Sequence, residues 1–255
     1  MDRPVDVDVK IYATFHRDFP FVSDCSWIYP VAANNYQSNG IDLRDDSGDN
    51  IAEKNLYFCE ITTHYWVWKN RKSDAVGFYH YRRYLDYAPA QPGYAVSDQL
   101  RHLTSDVQHD KLVQLLKITN VIISQRESFG ESIEAHYRRH TQGTAWDNFI
   151  KVLPEVHPKY GNYISYFNLS TISTTRNIFV MSWPFFDHYM SELMPLLERL
   201  HSVEGVSGHE FSDRYPGFVA ERFLGLWLLV NNIRHLEVPF AFIPDPVGAA
   251  TGPQT

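Results

Sequence analysis

Cysteine is scarce in this chain of 255 residues, which contains only Cys25 and Cys59. Two isolated cysteines form neither a disulfide framework nor the paired spacing of a zinc site, so we expect a reducing compartment. Long apolar runs are also missing, since the longest, residues 223–230, is far shorter than the roughly 20 residues that span a bilayer. The first ten residues are polar and unlike a signal peptide. The sequence therefore predicts a cytoplasmic protein and leaves peripheral contact with the inner face of the membrane open.

Positive charge is in deficit, because 23 Lys and Arg stand against 30 Asp and Glu and give a net charge of −7. This balance excludes a protein that binds nucleic acid through a broad basic face. Four catalytic signatures are absent as well: the Gly-rich phosphate loop, the GxSxG elbow, the HExxH helix and the Walker pattern. Hydride transfer, ATP hydrolysis and serine-hydrolase chemistry therefore have no motif behind them.

Apolar patterning along the chain alternates predicted strands with predicted helices. Strands are expected over residues 9–15, 75–81, 120–124 and 177–181, and an extended segment over 235–243. Helices are expected over residues 51–70, part of 98–116, 132–140, 144–156, 183–200 and 218–231. This alternation predicts an α/β fold with a mainly parallel central sheet flanked by helices. Residues 19–49 are expected to be irregular, and Asn50 and Glu53 to form a capping box. We expect one domain over residues 1–255, with 245–255 as a loose tail.

One predicted strand ends in an unusual group of polar side chains: His80, Tyr81, Arg82 and Arg83. In open α/β sheets, ligands bind beyond the carboxyl ends of the strands. Guanidinium groups match the oxygens of phosphate and pyrophosphate in bidentate fashion. These residues therefore predict an anion site, the alternative being an arginine pair in surface salt bridges.

An acidic loop precedes the first long predicted helix, with polar residues one turn later. Its candidate binding residues are Asp45, Asp46, Asp49, Asn50, Lys54 and Asn55. Carboxylates around a glycine can bind a divalent cation, or they can accept hydrogen bonds from sugar hydroxyls. A solvated turn with a helix cap explains the same pattern.

Glu221 lies in the opening turns of the predicted helix over 218–231, beside Arg222. A carboxylate there is a candidate general base whose pKa is set by its neighbours. Its alternative role is to stabilise the helix through the dipole. Glu60, Asp187 and Asp213 are the other carboxylates considered for the base.

These segments, in this order, resemble the bacterial domain-of-unknown-function family 4422, found in capsule and O-antigen loci. The resemblance is carried by residues 43–51, 54–55, 58–62, 65–66, 68–70, 77, 80–84, 177–181 and 217–222. It covers the chain from residue 10 to about residue 244. It implies a GT-A-like glycosyltransferase of cell-surface polysaccharide synthesis, since some members resemble galactofuranosyltransferases that use UDP-galactofuranose.

The resemblance also implies roles for particular residues. GT-A enzymes usually place an Asp-x-Asp after a central strand, where it binds a metal against the nucleotide diphosphate, but here that place is taken by His80, Tyr81 and Arg82. We therefore expect an enzyme without metal or other cofactor, in which Arg82 and Arg83 neutralise the departing pyrophosphate. Glu221 corresponds to the base of inverting enzymes. The acidic loop and His16 would contact the nucleotide or the donor sugar.

The expected partners are a nucleotide-sugar donor and a glycan or lipid-linked glycan acceptor, without nucleic acid. Three alternatives stay open at this point. The chain could use another nucleotide sugar, act as a non-catalytic binding module for nucleotide sugars or glycans, or transfer phosphoryl groups with a metal bound to the acidic loop.

Overall fold

One mixed sheet organises the computed structural model, which describes residues 7–21, 24–38, 40–89, 96–141, 144–209 and 211–245. Of the predicted loose tail, residues 246–255 lie outside these ranges. The nine strands of the sheet are β1 (Val9–Phe15), β2 (Ile28–Ala32), β3 (Leu43–Arg44), β4 (Ala75–His80), β5 (Arg83–Leu85), β6 (Val121–Ser124), β9 (Phe179–Ser182), β10 (Leu236–Val238) and β11 (Phe240–Phe242). Two short strands, β7 (Glu127–Ser128) and β8 (Ile172–Ser173), pair separately as a ribbon.

Helices surround the sheet. They are α1 (Asn55–Phe58), α2 (Ile61–Asn70), α3 (Val96–Leu103), α4 (Asp106–Leu116), α5 (Ile133–His140), α6 (Ala145–Val156), α7 (Ile164–Leu169), α8 (Trp183–Glu204) and α9 (Tyr215–Val230), with 3₁₀ turns at Ala52–Lys54, Pro158–Tyr163 and Ser212–Arg214. Over the described residues, none of the helices combines the length and apolar character that crossing a bilayer requires.

The order of strands across the main path of the sheet is β10-β6-β9-β4-β1-β2-β3. β1 pairs in parallel with both β2 and β4, and β3 continues the parallel part beside β2. β9 runs antiparallel between β4 and β6, while β10 is parallel to β6. The carboxyl ends of β1, β2 and β4 therefore meet at one edge. The predicted α/β fold with a mainly parallel sheet is confirmed.

Alternate residues of the central strands face two hydrophobic cores, one on each side of the sheet. Tyr12 and Phe78 pack into the core beneath α2, α8 and α9, whereas Ile11, Ala13 and Tyr79 pack into the core on the opposite face. This period of two is the side-chain geometry of an extended strand. Since both faces are covered, β1 and β4 are apolar almost throughout.

Gly77 lies on β4 between Ile11 of β1 and Val180 of β9. A Cβ there would come within 2.5 Å of Ile11 Cδ1 and 2.6 Å of Val180 Cγ2. The neighbouring strands therefore occupy the space that a side chain would need.

Three local predictions were wrong. Residues 19–49, expected to be irregular, contain β2 and β3. The helix expected over residues 51–70 is broken at Cys59, whose φ of +52° ends α1 before α2 begins at Ile61. The capping box is replaced by a local turn, in which Asn50 Oδ1 accepts a hydrogen bond from the Ala52 N–H at 3.2 Å.

Candidate active site

A cavity of about 240 Å³ lies at the carboxyl edge of the parallel strands. His16 follows β1, Asn34 follows β2 and His80 ends β4, so three adjacent strands supply part of its wall. The complete lining is Thr14, His16, Ala33, Asn34, Asn55, Leu56, Cys59, Glu60, His80 and Arg214. This is the edge at which open α/β sheets bind ligands.

The two histidines of this cavity are neutral at neutral pH. Their ring centroids are 5.9 Å apart. Burial lowers the pKa of His16 to about 4, and the nearby charge of Arg214 lowers it further. Burial, followed by the charge of Arg83, places the pKa of His80 well below its ordinary value. Both imidazoles therefore offer hydrogen bonds, and positive charge must come from the guanidinium groups.

Arg82 is held by its own neighbours beside the cavity. Its Nη1 is 3.1 Å from Asp245 Oδ2, and its guanidinium lies over the Tyr81 ring, 5.1 Å from the centroid. Arg17 binds the same carboxylate with Nη2 at 2.6 Å. Neither Arg82 nor Arg83 is among the residues that line the cavity. Their charges nevertheless act there, since both depress the pKa of His80.

Arg214 is the cation that lines the cavity, and the sequence interpretation missed it. Its Nε is 3.2 Å from Cys59 Sγ. Burial raises the pKa of the Cys59 thiol to about 12, so the sulfur is uncharged and does not neutralise the guanidinium. The usable sequence signal was an arginine directly before the helix that carries Glu221. Arg214 is thus placed to meet a ligand anion.

Glu221 is largely buried, with 16% of its side chain exposed. Its Oε2 accepts a hydrogen bond from Arg222 Nη1 at 2.6 Å. Burial raises the pKa of this carboxyl to about 7; the charge of Arg222 opposes the shift, and that of Glu60 adds to it. A carboxyl with this pKa can accept and release a proton near neutral pH.

A second cavity of about 210 Å³ includes Glu221 in its wall. The other residues that line it are His136, His140, Thr141, Phe211, Phe218 and Arg222. Glu60 lines the first cavity, and its charge acts on the Glu221 carboxyl, which lines the second.

The start of α9 is fixed against the turn at Cys59. A Cβ added to Gly217 would lie 2.9 Å from Cys59 Sγ, so only a glycine permits this approach. Asn177 joins the two segments, since its Nδ2 donates to Glu60 Oε1 at 3.0 Å and to the Gly217 carbonyl at 3.4 Å. Glu221 lies one turn after Gly217 on α9, so this packing fixes its position.

The carboxylates of the acidic loop are bonded within the protein. Asp45 is 1% exposed, and its Oδ2 accepts from Thr62 Oγ1 at 2.6 Å. Asp46 pairs with Arg44 at 2.9 Å. Asp49 Oδ1 accepts from the Tyr65 hydroxyl at 3.1 Å. Across the described ranges, no group of three or more His, Cys, Asp and Glu is arranged to bind a metal ion.

The polar residues that follow the acidic loop divide into two groups. Asn50 Nδ2 donates to the Gly48 carbonyl, and Lys54 Nζ is 2.6 Å from Glu198 Oε1. Asn55 is buried, donates to Thr62 Oγ1 at 2.7 Å and lines the first cavity. Of the six candidate residues in this segment, Asn55 is the one that the structure places on the cavity wall.

The remaining carboxylates considered for the base have structural partners. Asp213 Oδ1 accepts from the Ser207 N–H and hydroxyl, each at 2.7 Å. Asp187 Oδ1 accepts from Trp68 Nε1 at 2.7 Å. Glu60 stays at the first cavity but is oriented by Asn177. Of the four carboxylates considered for the base, Glu221 is the one that combines a raised pKa with a place in a cavity wall.

Comparison with known proteins gives one family and one solved structure. A family model described as a domain of unknown function, DUF4422, matches residues 10–232. The apo structure of WbbM, a bifunctional glycosyltransferase, is similar with a TM-score of 0.84 and 25% sequence identity. The match covers 96% of this chain and 47% of the WbbM chain, so this chain spans about half the length of that protein. No curated protein gives a significant match.

Proposed function

The chain belongs to the DUF4422 family. We propose that it is a glycosyltransferase, because of this membership, its likeness to about half of a bifunctional glycosyltransferase and the geometry of the site. The observation that carries the proposal is Glu221, a largely buried carboxyl with a pKa of about 7 in the wall of the second cavity. Its donor is a nucleotide sugar, UDP-galactofuranose, and its acceptor is the hydroxyl of a glycan or lipid-linked glycan. The product is a cell-surface polysaccharide of the capsule or O-antigen type, built at the cytoplasmic side of the membrane.

The chemical step is a single displacement at the anomeric carbon. Glu221 removes the proton of the acceptor hydroxyl while its oxygen forms a bond to that carbon. The bond from the carbon to the diphosphate oxygen breaks, and UDP leaves with the electron pair. Because attack comes from the face opposite UDP, the configuration inverts. A base with a pKa close to the working pH suits this transfer.

Charge on the departing UDP is neutralised by arginine in this proposal, without a metal ion. Arg214 faces the first cavity directly, and Arg82 and Arg83 supply positive potential from its edge. The neutral His16 and His80 contribute hydrogen bonds to the same group. Preorganised donors and charges of this kind act where charge develops in the transition state.

The acidic loop acts indirectly on the donor. Asn55 reaches the first cavity, and the bonded Asp45 and Lys54 maintain the turn from which Asn55 projects. Asp46, Asp49 and Asn50, predicted to contact the donor, then stabilise this turn instead. Tyr81 has a similar supporting role, since it packs beneath the guanidinium of Arg82.

A donor screen tests the proposal. UDP release is measured with UDP-galactofuranose and with UDP-galactopyranose, each with and without a glycan acceptor and with and without EDTA. We expect release from the furanose donor, acceleration by acceptor and no loss in EDTA. Binding of the nucleotide sugar without turnover would instead indicate a binding module. Loss of turnover in EDTA with recovery in Mn²⁺ would refute the metal-independent mechanism.

A further inference from the structure

The second cavity differs in chemistry from the first. Both are lined by two histidines, an arginine and a carboxylate, and the second adds two phenylalanines, Phe211 and Phe218. We propose that the second cavity is a subsite for a neutral sugar ring of the acceptor, stacked on Phe211 and Phe218. This inference rests on the proposed function and adds the place and the chemical class of the acceptor.

The two phenylalanines form an aromatic wall that is only partly buried in the core. Phe211 is 43% exposed. Its centroid is 5.2 Å from that of the partly buried Phe218, with the planes inclined at 47°. The apolar face of a sugar ring, made of C–H groups, is matched by such a surface, while its hydroxyls need polar partners at the rim.

Arg222 excludes an anion as the ligand of this cavity. Its Nη1 is 2.6 Å from Glu221 Oε2 and 3.1 Å from the Phe218 carbonyl oxygen, and its Nη2 is 3.3 Å from His136 Nδ1. The side chain is 5% exposed. A guanidinium that is paired with a carboxylate and largely removed from solvent has little charge or surface to offer a phosphate. The cavity therefore favours a ligand without negative charge.

His136 supplies the polar partner that a hydroxyl requires. Its Nδ1 accepts from Arg222, so the neutral ring carries its proton on Nε2. Stacking on Phe129, with the centroids 4.1 Å apart and the planes within 19°, fixes the orientation of the ring. His140 lies beside it at 4.8 Å. The cavity thus combines an aromatic face, imidazole groups and the carboxylate of Glu221.

Saturation-transfer NMR with the intact chain tests the subsite independently of catalysis. The probes are methyl hexopyranosides at millimolar concentration, with inorganic phosphate as a competitor. We expect Phe211→Ala to weaken saccharide binding roughly fivefold, since an aromatic contact is worth about 1 kcal/mol. Phe211→Tyr should retain binding, because it keeps the ring. Tyr166→Ala is the matched control: Tyr166 is 66% exposed and lines neither cavity.

Kinetic measurements complete the test where turnover is found. Phe211→Ala should raise the KM for the acceptor several-fold more than the KM for UDP-sugar. Saccharide binding that depends on Phe211 but is not accompanied by UDP-sugar turnover would support the subsite and refute the glycosyltransferase. Two results would refute the subsite but not the glycosyltransferase. One is turnover with an acceptor KM that Phe211→Ala does not change. The other is displacement of the saccharide by phosphate.

Discussion

Replacing Glu221 with glutamine should lower activity and raise stability in the same variant. The glutamine amide keeps the shape of the side chain, and its oxygen can still accept the hydrogen bond from Arg222. It cannot accept a proton, so turnover should fall by roughly 10²–10⁴-fold. In the wild type, kcat/KM should fall as the pH drops below about 7, because the base must be ionised.

The effect on stability follows from the raised pKa of the carboxyl. Folding shifts that pKa upward, from 4.5 to about 7, so the proton binds the native state more tightly than the unfolded state. The ionised native carboxylate therefore costs stability increasingly as the pH rises from 4.5 to about 7. The full cost is about 3 kcal/mol, at 1.36 kcal/mol for each pKa unit. Glutamine removes it.

Thermal and urea unfolding from pH 4 to pH 8 measure this difference. Glu221→Gln should exceed the wild type by up to about 3 kcal/mol at pH 8, a rise in Tm of roughly 6–12 °C, with little difference near pH 4. Glu155→Gln, at an exposed ion pair with Arg199, should change neither activity nor the pH dependence. A pH-independent stability difference, or near-wild-type turnover by Glu221→Gln, would refute the assignment of this carboxyl as a base of raised pKa.

Two further substitutions test the site and the sheet. Arg214→Ala should raise the KM for the donor by roughly 10- to 100-fold, since a hydrogen bond to a charged group is worth about 1.5–3 kcal/mol. Arg139→Ala, which removes an exposed arginine paired with a glutamate, should leave this KM unchanged. Equal effects of the two substitutions in steady-state kinetics would contradict the role of Arg214. Gly77→Ala should destabilise the fold by about 1–3 kcal/mol through overpacking, measured by urea unfolding, whereas Gly161→Ala has its nearest contact at 3.6 Å and should be nearly neutral.

The central part of the fold was predictable from local patterns. β1 and β4 are apolar on both faces, and α8 and α9 carry long hydrophobic periods, so their existence followed from the residues themselves. β2 and β3 were missed because they are short and surrounded by turn residues, and their extended form depends on pairing, of β2 with β1 and of β3 with β2. A strand of this kind is specified by its neighbour more than by its own composition.

The candidate site was predictable where a polar residue directly follows a strand. His16, just after β1, and His80, at the end of β4, reach the first cavity for that reason. Arg214 could not be identified in this way, because its position depends on a contact with Cys59, 155 residues away. The acidic loop shows the converse, since composition does not reveal that Asp45 points inward to Thr62.

The contact between Gly217 and Cys59 has a consequence for how this family can vary. The two positions share one small volume. A Cβ added at position 217 would lie 2.9 Å from Cys59 Sγ, so a larger side chain does not fit there without a change at position 59. A relative with alanine or serine at the position of Gly217 must shift its helix or shorten the residue at the other position. Substitutions at 59 and 217 should therefore be correlated among homologues, and a change at 217 without a shorter residue at 59 should mark the members whose base has moved relative to the donor.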